Sequence, residues 1–262
     1  MKRRYFIVLA LVISLILAVS MTAGCKKDEA SSEGAGESGL KTLKAGILTV
    51  GSDCTWPPME YFEGDKIVGF DVDLTQEIAN RLGLKLDYQN AAWDGLFPAL
   101  IAHKFDMAIS SITITEDRQK EMDFSDPYYK TDQSATVKEG SGIDSIEKMD
   151  GKIAAAQIGT TGELKAKEMS GATVKTYDDI LMAFEDLKAG RVDAVVCDSY
   201  VGFAYAAKTE GFVVGFSVPT DENLGIAFAK DTPELKDAVN SALKEIQEDG
   251  TYDKIFAKWF GK

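Results

Sequence analysis

The chain has 262 residues, 45% of them hydrophobic and 10% aromatic, which is enough to bury a real core in one large or two modest domains. Its net charge of −13 disfavours nucleic acid, whose phosphates such a surface repels, and disfavours adhesion to anionic lipid by charge alone. A single histidine, His103, and three cysteines with no CxxC or Cys/His cluster argue against zinc and against Ser-His or Cys-His nucleophilic chemistry.

The N-terminus stands apart. Lys2, Arg3 and Arg4 precede an apolar run of 14 residues, Phe6–Val19. That is short for a bilayer span of about 20 and has the layout of a secretory signal over residues 1–24, with an uncleaved anchor as the alternative. The segment ends in Thr22-Ala23-Gly24-Cys25, which resembles a bacterial lipobox with Thr22 in place of the usual leucine. Cys25 is then the expected site of lipidation, with palmitate among the expected modifications. Residues 25–40 are rich in Ser, Gly and Glu and read as a tether. Removing the signal takes away three basic residues and no acidic one, so −13 becomes −16.

From Lys44 onward short β runs alternate with amphipathic helices. "LKAGILTVG" is a predicted strand. The helix in "DVDLTQEIANRLG" carries Phe70, Leu74, Ile78 and Leu82 at four-residue spacing on one face, with Gly83 as its stop. "KLDYQN" is a strand, "DGLFPALIAHK" a helix with Leu96, Phe97, Leu100 and Ile101 inward, and "FDMAIS" a strand. The pattern repeats: strand "GKIAAAQ", helix "TTGELKAKEMS", strand "ATVKTY", helix "DDILMAFEDLKAG", strand "RVDAVVCD", helix "SYVGFAYAAKTEG". "LGIAFAK" is a last strand, followed by helices in "TPELKDAVNSALKEIQEDG" and "TYDKIFAKWFG", the latter with Trp259 and Phe260 expected in the core. Such alternation predicts α/β architecture in two similar lobes. "YYKTDQSA" and the stretch near "SVPTDENLG" are the expected crossings between them, which sets the lobes at 41–129 with 225–262, and at 130–224 including the crossings.

In open α/β sheets ligands bind beyond the carboxyl ends of strands. The polar residues expected there are Asp53 and Trp56, Trp93, Ser111 and Thr113, Arg118, then Gln157, Thr160, Thr161 and Asp198. Arg118 lies within eight residues of Glu116, Asp117, Glu121, Asp123 and Asp126. It either neutralises those neighbours or grips an incoming carboxylate with its planar fork. The Gly159–Thr161 turn opens a helix, where free N–H groups favour an anion, and Asp198 offers an ammonium the opposite charge. A carboxylate and an ammonium on one carbon define a free amino acid. Trp56 and Trp93 are placed to sandwich its side chain or cover a cationic head. Glu60 and Asp71 are further candidates for charge in the distal pocket, and Asp198 is alternatively a cap for the helix after it.

The motifs "SDCTWPPMEY", "GFDVDL", "WDGLFPAL", "SSITITEDR", "FSDPYY", "IGTTG", "VDAVVCDS" and "EDGTYDKIFAKWF" run in order from about Lys44 to the C-terminus. Together they resemble the polar amino-acid family of periplasmic solute-binding proteins, receptors of ABC importers, in particular its glutamine-binding and lysine/arginine/ornithine-binding members. The resemblance implies the two-lobed type II fold with two hinge crossings. It also implies a non-enzymatic, lipid-anchored extracytoplasmic receptor that is a monomer, needs no cofactor or metal, and has a free amino acid, a permease and the membrane as partners. By the same resemblance Arg118 is the carboxylate-binding arginine and Asp198 the ammonium-binding aspartate. Ser111 and Thr113 contact the amino-acid moiety, Thr160 and Thr161 make the second-lobe contacts to its carboxylate, Trp56 and Trp93 stack, and Asp53 and Gln157 lie near the side chain. Asp53, the tryptophans and the acidic surround lean toward arginine or lysine, while Gln157 and a neutral pocket would suit glutamine equally. A dehydratase-like enzyme on the same fold and a ligand sensor are the alternatives. Cys54 and Cys197, expected on opposite lobes, are expected as free thiols.

Overall fold

A computed structural model of the chain describes residues 39–261. The signal segment and Cys25 lie outside the described residues. Among the described residues no helix is long and apolar enough to cross a membrane.

The first lobe is built on β1 (Ile47–Ser52), which pairs in parallel with β5 (Lys85–Asn90) from Ile47 opposite Lys85 to Ser52 opposite Asn90. Between them lie a three-stranded meander, β2 (Thr55–Trp56), β3 (Glu60–Glu63) and β4 (Lys66–Val68), and helix α1 (Phe70–Arg81). Phe70, Leu74 and Ile78 of α1 are fully buried, as the four-residue spacing requires of a single inward face. Gly83 stops the helix at φ 67, where its N–H donates to Asn80 and that of Leu84 to Ala79. The two bonds form a Schellman motif. Then come α2 (Trp93–Ile101), β6 (Met107–Ala108), α3 (Glu116–Glu121) and β7 (Asp123–Phe124). Leu96 and Leu100 of α2 are buried, but Ile101, expected inward, is 43% exposed at the end of the helix.

The second lobe holds β8 (Tyr129–Lys138), β9 (Ile153–Gln157), α4 (Thr161–Glu168), β10 (Thr173–Tyr177), α5 (Ile180–Lys188), β11 (Ala194–Asp198), α6 (Ser199–Lys208) and β12 (Phe212–Leu224). Its sheet runs β10-β9-β11-β8-β12, with β9 parallel to β10 and β11, and β8 antiparallel to β11 and β12. The two segments expected as plain crossings are strands in their own right. β8 and β12 pair from Phe212 opposite Lys138 to Leu224 opposite Tyr129, with two register shifts between. Their polar residues had marked them as connections. Pairing satisfies the backbone there; residues 133–137 of β8 are buried throughout, and Glu222 and Leu224 of β12 are buried with Asn223 exposed between them.

The chain returns to the first sheet through β13 (Ala227–Phe228), which completes the order β5-β1-β6-β13-β7. Helices α7 (Pro233–Glu248) and α8 (Thr251–Phe260) then pack on α1. Phe70 is ringed by Tyr128, Tyr129, Tyr252, Phe256 and Phe260. Burying such a ring contributes about 2–3 kcal/mol. Trp259 and Phe260 are half-buried and cover this cluster from outside. The Trp259 indole N–H donates to Asp73, and its ring meets Tyr61 edge-on.

Candidate binding site

At the end of β1 the Asp53 N–H donates to Ser110 Oγ (2.9 Å), whose own proton goes to Glu60 Oε1 (3.1 Å). The Asp53 carboxylate is 4% exposed and accepts from Thr55 Oγ1 (3.3 Å) and, across the lobes, from Gln157 Nε2 (2.7 Å). Gln157 Nε2 also donates to the Asp178 carbonyl, and Gln157 Oε1 accepts from the Trp56 indole N–H at 2.8 Å. Burial pushes the Asp53 pKa up to about 6, against the pull of Gln157 and Thr55.

Glu60 and Asp71 lie beneath this layer rather than in a distal pocket, and both are fully buried. Asp71 Oδ2 accepts from the Ser111 N–H (3.2 Å) and the Tyr128 hydroxyl (2.9 Å). Burial pushes Glu60 well above the ordinary carboxyl range, and Asp71 beside it pushes it further; burial lifts Asp71 to about 6. Burial and the neighbouring carboxyl thus both favour the protonated form of Glu60. Ser111 sits at φ 52, a left-handed conformation unusual for serine. That backbone turns its N–H down to Asp71. Its buried Oγ has no partner in the protein.

Arg118 rises from α3, whose first turn is capped by Thr115 Oγ1 accepting from the Arg118 N–H. Its guanidinium turns away from the acidic residues around it in sequence. Asp117 pairs with Lys120, and Asp123 with Lys230 and Lys236. Arg118 instead donates to the carbonyls of Thr113 (2.8 Å) and, on the other lobe, Gly159 (3.2 Å). It lies 5.3 Å from the Trp93 ring centre and 5.2 Å from that of Phe97. Burial draws its pKa down to about 10, with Asp198 and Glu222 holding it up. It stays cationic at neutral pH.

On the second lobe Thr160 caps α4. Its Oγ1 accepts from the Glu163 N–H (3.2 Å) and donates to the Gln157 carbonyl (2.7 Å). The Gly159 N–H is taken by Glu163 Oε2. The N–H groups of Thr161 and Gly162 are left over by helix geometry. Gly162 is required there, because a Cβ would stand 2.8 Å from the Val196 carbonyl oxygen.

Asp198 ends β11 and is 3% exposed. Its side chain makes no capping bond to α6, so capping does not explain it. It accepts from Gln133 Nε2 (2.6 Å) and the Tyr200 hydroxyl (2.9 Å). Burial, then Glu222, raises its pKa to about 7, with Tyr200, Gln133 and Arg118 opposing. Glu222 was not expected from the sequence. It is 9% exposed on β12, and its Oε2 accepts from Thr113 Oγ1 (2.8 Å) and Thr161 Oγ1 (2.7 Å). On β12 Glu222, Asn223 and Leu224 run buried, exposed, buried, a pattern the sequence, polar at both 222 and 223, does not show.

Trp56, Trp93, Ser111, Thr113, Arg118, Thr160, Thr161 and Asp198 line one cavity together with Ser110 and Gly162. Asp53 and Gln157, also predicted, stand behind it as a polar bridge between the lobes. Cys54 and Cys197 are free and buried. Burial pushes the Cys54 thiol up to about 12 and Cys197 well above the thiol range, so neither is a thiolate at neutral pH.

Two α/β lobes whose strand ends turn polar side chains onto one small shared cavity form a site for a small molecule. The chain belongs to the bacterial extracellular solute-binding proteins, family 3, whose pattern it matches over residues 48–262. It is 34% identical to the L-cystine-binding protein TcyJ of Escherichia coli, over 94% of this chain and 93% of that one. It is 35% identical to the arginine-binding extracellular protein ArtP of Bacillus subtilis, over 88% of this chain and 90% of that one. Among solved structures, an ancestral arginine-binding protein bound to glutamine superposes with a TM-score of 0.80 at 42% identity, over 84% of this chain and 100% of that one.

Proposed function

We propose that this chain captures a free polar amino acid outside the cytoplasm, arginine or lysine ahead of glutamine, and delivers it to an ABC importer. One observation carries this: Arg118 and Asp198, from opposite lobes, line the same cavity, with no carboxylate on the first and no cation on the second within ion-pair distance among the described residues. A zwitterion supplies both missing partners. Arg118 and the free N–H groups at the start of α4 take its carboxylate. Asp198 takes its ammonium, and the unpartnered Ser111 Oγ adds a further polar contact. Trp56 and Trp93 flank the side chain, with Asp53 and Gln157 at its far end.

The preference for a cationic guest follows from charge. Asp53, Asp198 and Glu222 are three acids around one arginine, so a guest carrying net positive charge balances the site better than a neutral one. The relatives named for cystine and arginine, and a structural neighbour bound to glutamine, mark the range of guests on this fold. In this proposal the lobes, 41–129 with 225–262 and 130–224, hinge closed around the ligand. The protein acts as a monomer, tethered to the membrane by lipid on Cys25. A thermal-shift screen of the standard amino acids and cystine tests the function. At about 100-fold excess over Kd a true ligand stabilises by about 2.7 kcal/mol, or roughly 5–10 °C for a protein of this size. Arginine or lysine giving the largest shift supports the proposal; no shift with any amino acid overturns it.

A further inference from the structure

We propose that Glu222 sets the hydrogen-bonding polarity of the site and so acts as a positioning residue for the ligand's ammonium group. The inference rests on the amino-acid-binding function above and deepens it. Thr113 comes from the first lobe and Thr161 from the start of α4 in the second. Their hydroxyls lie 3.4 Å apart and both reach the same oxygen of Glu222, at 2.8 and 2.7 Å. A carboxylate has no proton to give, so both hydroxyls donate to it.

That choice fixes what the hydroxyls offer the cavity they line. Each threonine has one proton, and each proton is committed to Glu222. Thr161 spends one lone pair on Gln133 Nε2 (3.3 Å), and Thr113 keeps both of its own. The two groups therefore present acceptors to the ligand. They cannot donate to a carboxylate, but they can receive protons from an ammonium. Glu222 also places a second negative charge close enough to be felt at Asp198 and Arg118. Thr161 Oγ1 and Asp198 share Gln133 Nε2, so acceptors and negative charge meet there, while Arg118 and the N–H groups of Thr161 and Gly162 supply the donors. The ligand's α-carbon substituents are sorted by this division. β12 holds Glu222 in place: its neighbour Asn223 accepts the Ile114 N–H, and Thr113 bridges to Leu224.

Calorimetry on the intact protein with two probes tests the role: L-arginine, and 5-guanidinopentanoic acid, which lacks only the α-ammonium. In Glu222→Gln the side-chain amide can donate to a threonine and reverse its polarity. L-arginine affinity is expected to fall by about 10- to 100-fold, while affinity for the des-amino acid stays the same or rises. Thr113→Val, which keeps the shape and removes the acceptor, should show the same selective loss. In the Glu222→Gln background it should add little more, because the two changes remove one interaction. Equal weakening of both probes in the two variants makes Glu222 a structural residue only and overturns the inference. So does wild-type affinity for L-arginine in Glu222→Gln. If the wild-type protein binds none of the amino acids, the proposed function fails and this inference falls with it; if it binds one other than arginine, that amino acid and its des-amino analogue replace the probes.

Discussion

Two pairs of buried acids lie on either side of the cavity floor, and they are managed in opposite ways. Glu60 and Asp71 are sealed. Burial favours their protonated forms, and Ser110, Ser111 and Tyr128 bond the oxygens they can reach. Asp198 and Glu222 line the cavity or its back wall. They rely on hydroxyls, an amide and the field of Arg118. A buried charge that is not neutralised locally is held at a cost, which a partner arriving from outside can offset. The sealed pair is therefore a foundation for the serines above it, and the open pair is a receptor.

The widest gap between the two pairs should appear when the cation facing the open one is removed. Arg118→Ala is expected to lose about 2–5 kcal/mol of ligand affinity, with little change in the melting of the ligand-free protein. Calorimetry at wild-type affinity would refute the role of Arg118. Next in size is Asp198→Asn, expected to cost about 1.5–3 kcal/mol in affinity. Its pH signature is sharper. The ligand-free pKa of about 7 lies above the ~3.9 of an unfolded aspartate, so binding a cation displaces a proton below that value. Wild-type affinity should climb as pH rises towards about 7 and then level off, and the climb should vanish in Asp198→Asn. The same raised pKa acts on folding with the opposite sign. The folded state holds the extra proton between about 3.9 and 7, so this contribution to stability is full at low pH and is lost as pH rises through 7. Ligand-free Asp198→Asn should accordingly melt higher than wild type at pH 8. The smallest effect belongs to the sealed pair. Glu60→Gln keeps a donor for Asp71, so affinity should stay at the wild-type value. The loss of melting temperature as pH rises should shrink, because burial raises Glu60, and stability held by a raised carboxyl is lost as pH climbs through its folded value. An altered affinity in Glu60→Gln would mean that this pair is not sealed.

Much of this architecture was legible in the sequence, for identifiable reasons. The Phe70, Leu74, Ile78 row and the Gly83 stop are local signals, and α1 follows them. Ile101 broke the same rule because it ends its helix, where no neighbour covers it. The β8 and β12 strands carry polar residues that suit a connection as well as a ladder, and in β8 Gln133, Ser134 and Thr136 are nonetheless all buried. In the site, residues at strand ends reached the cavity as expected. Asp53 and Gln157 did not, because each is held back by its bond to the other lobe. Thr160 reached it with its hydroxyl already spent on capping and on the Gln157 carbonyl. Glu222 could not be found by spacing. Its partners are 109 and 61 residues away, and only the folded chain joins them.

The bond from the Trp56 indole to Gln157 spans the two lobes, and Trp93 stands 3.4 Å from where a Cβ on Gly159 would lie. Any parting of the lobes hands the Trp56 N–H to water and uncovers Trp93, while Trp259, bonded to Asp73 outside the cleft, keeps its surroundings. The chain thus carries its own optical gauge: two of its three tryptophans change colour of emission with the gap, and the third serves as the fixed reference.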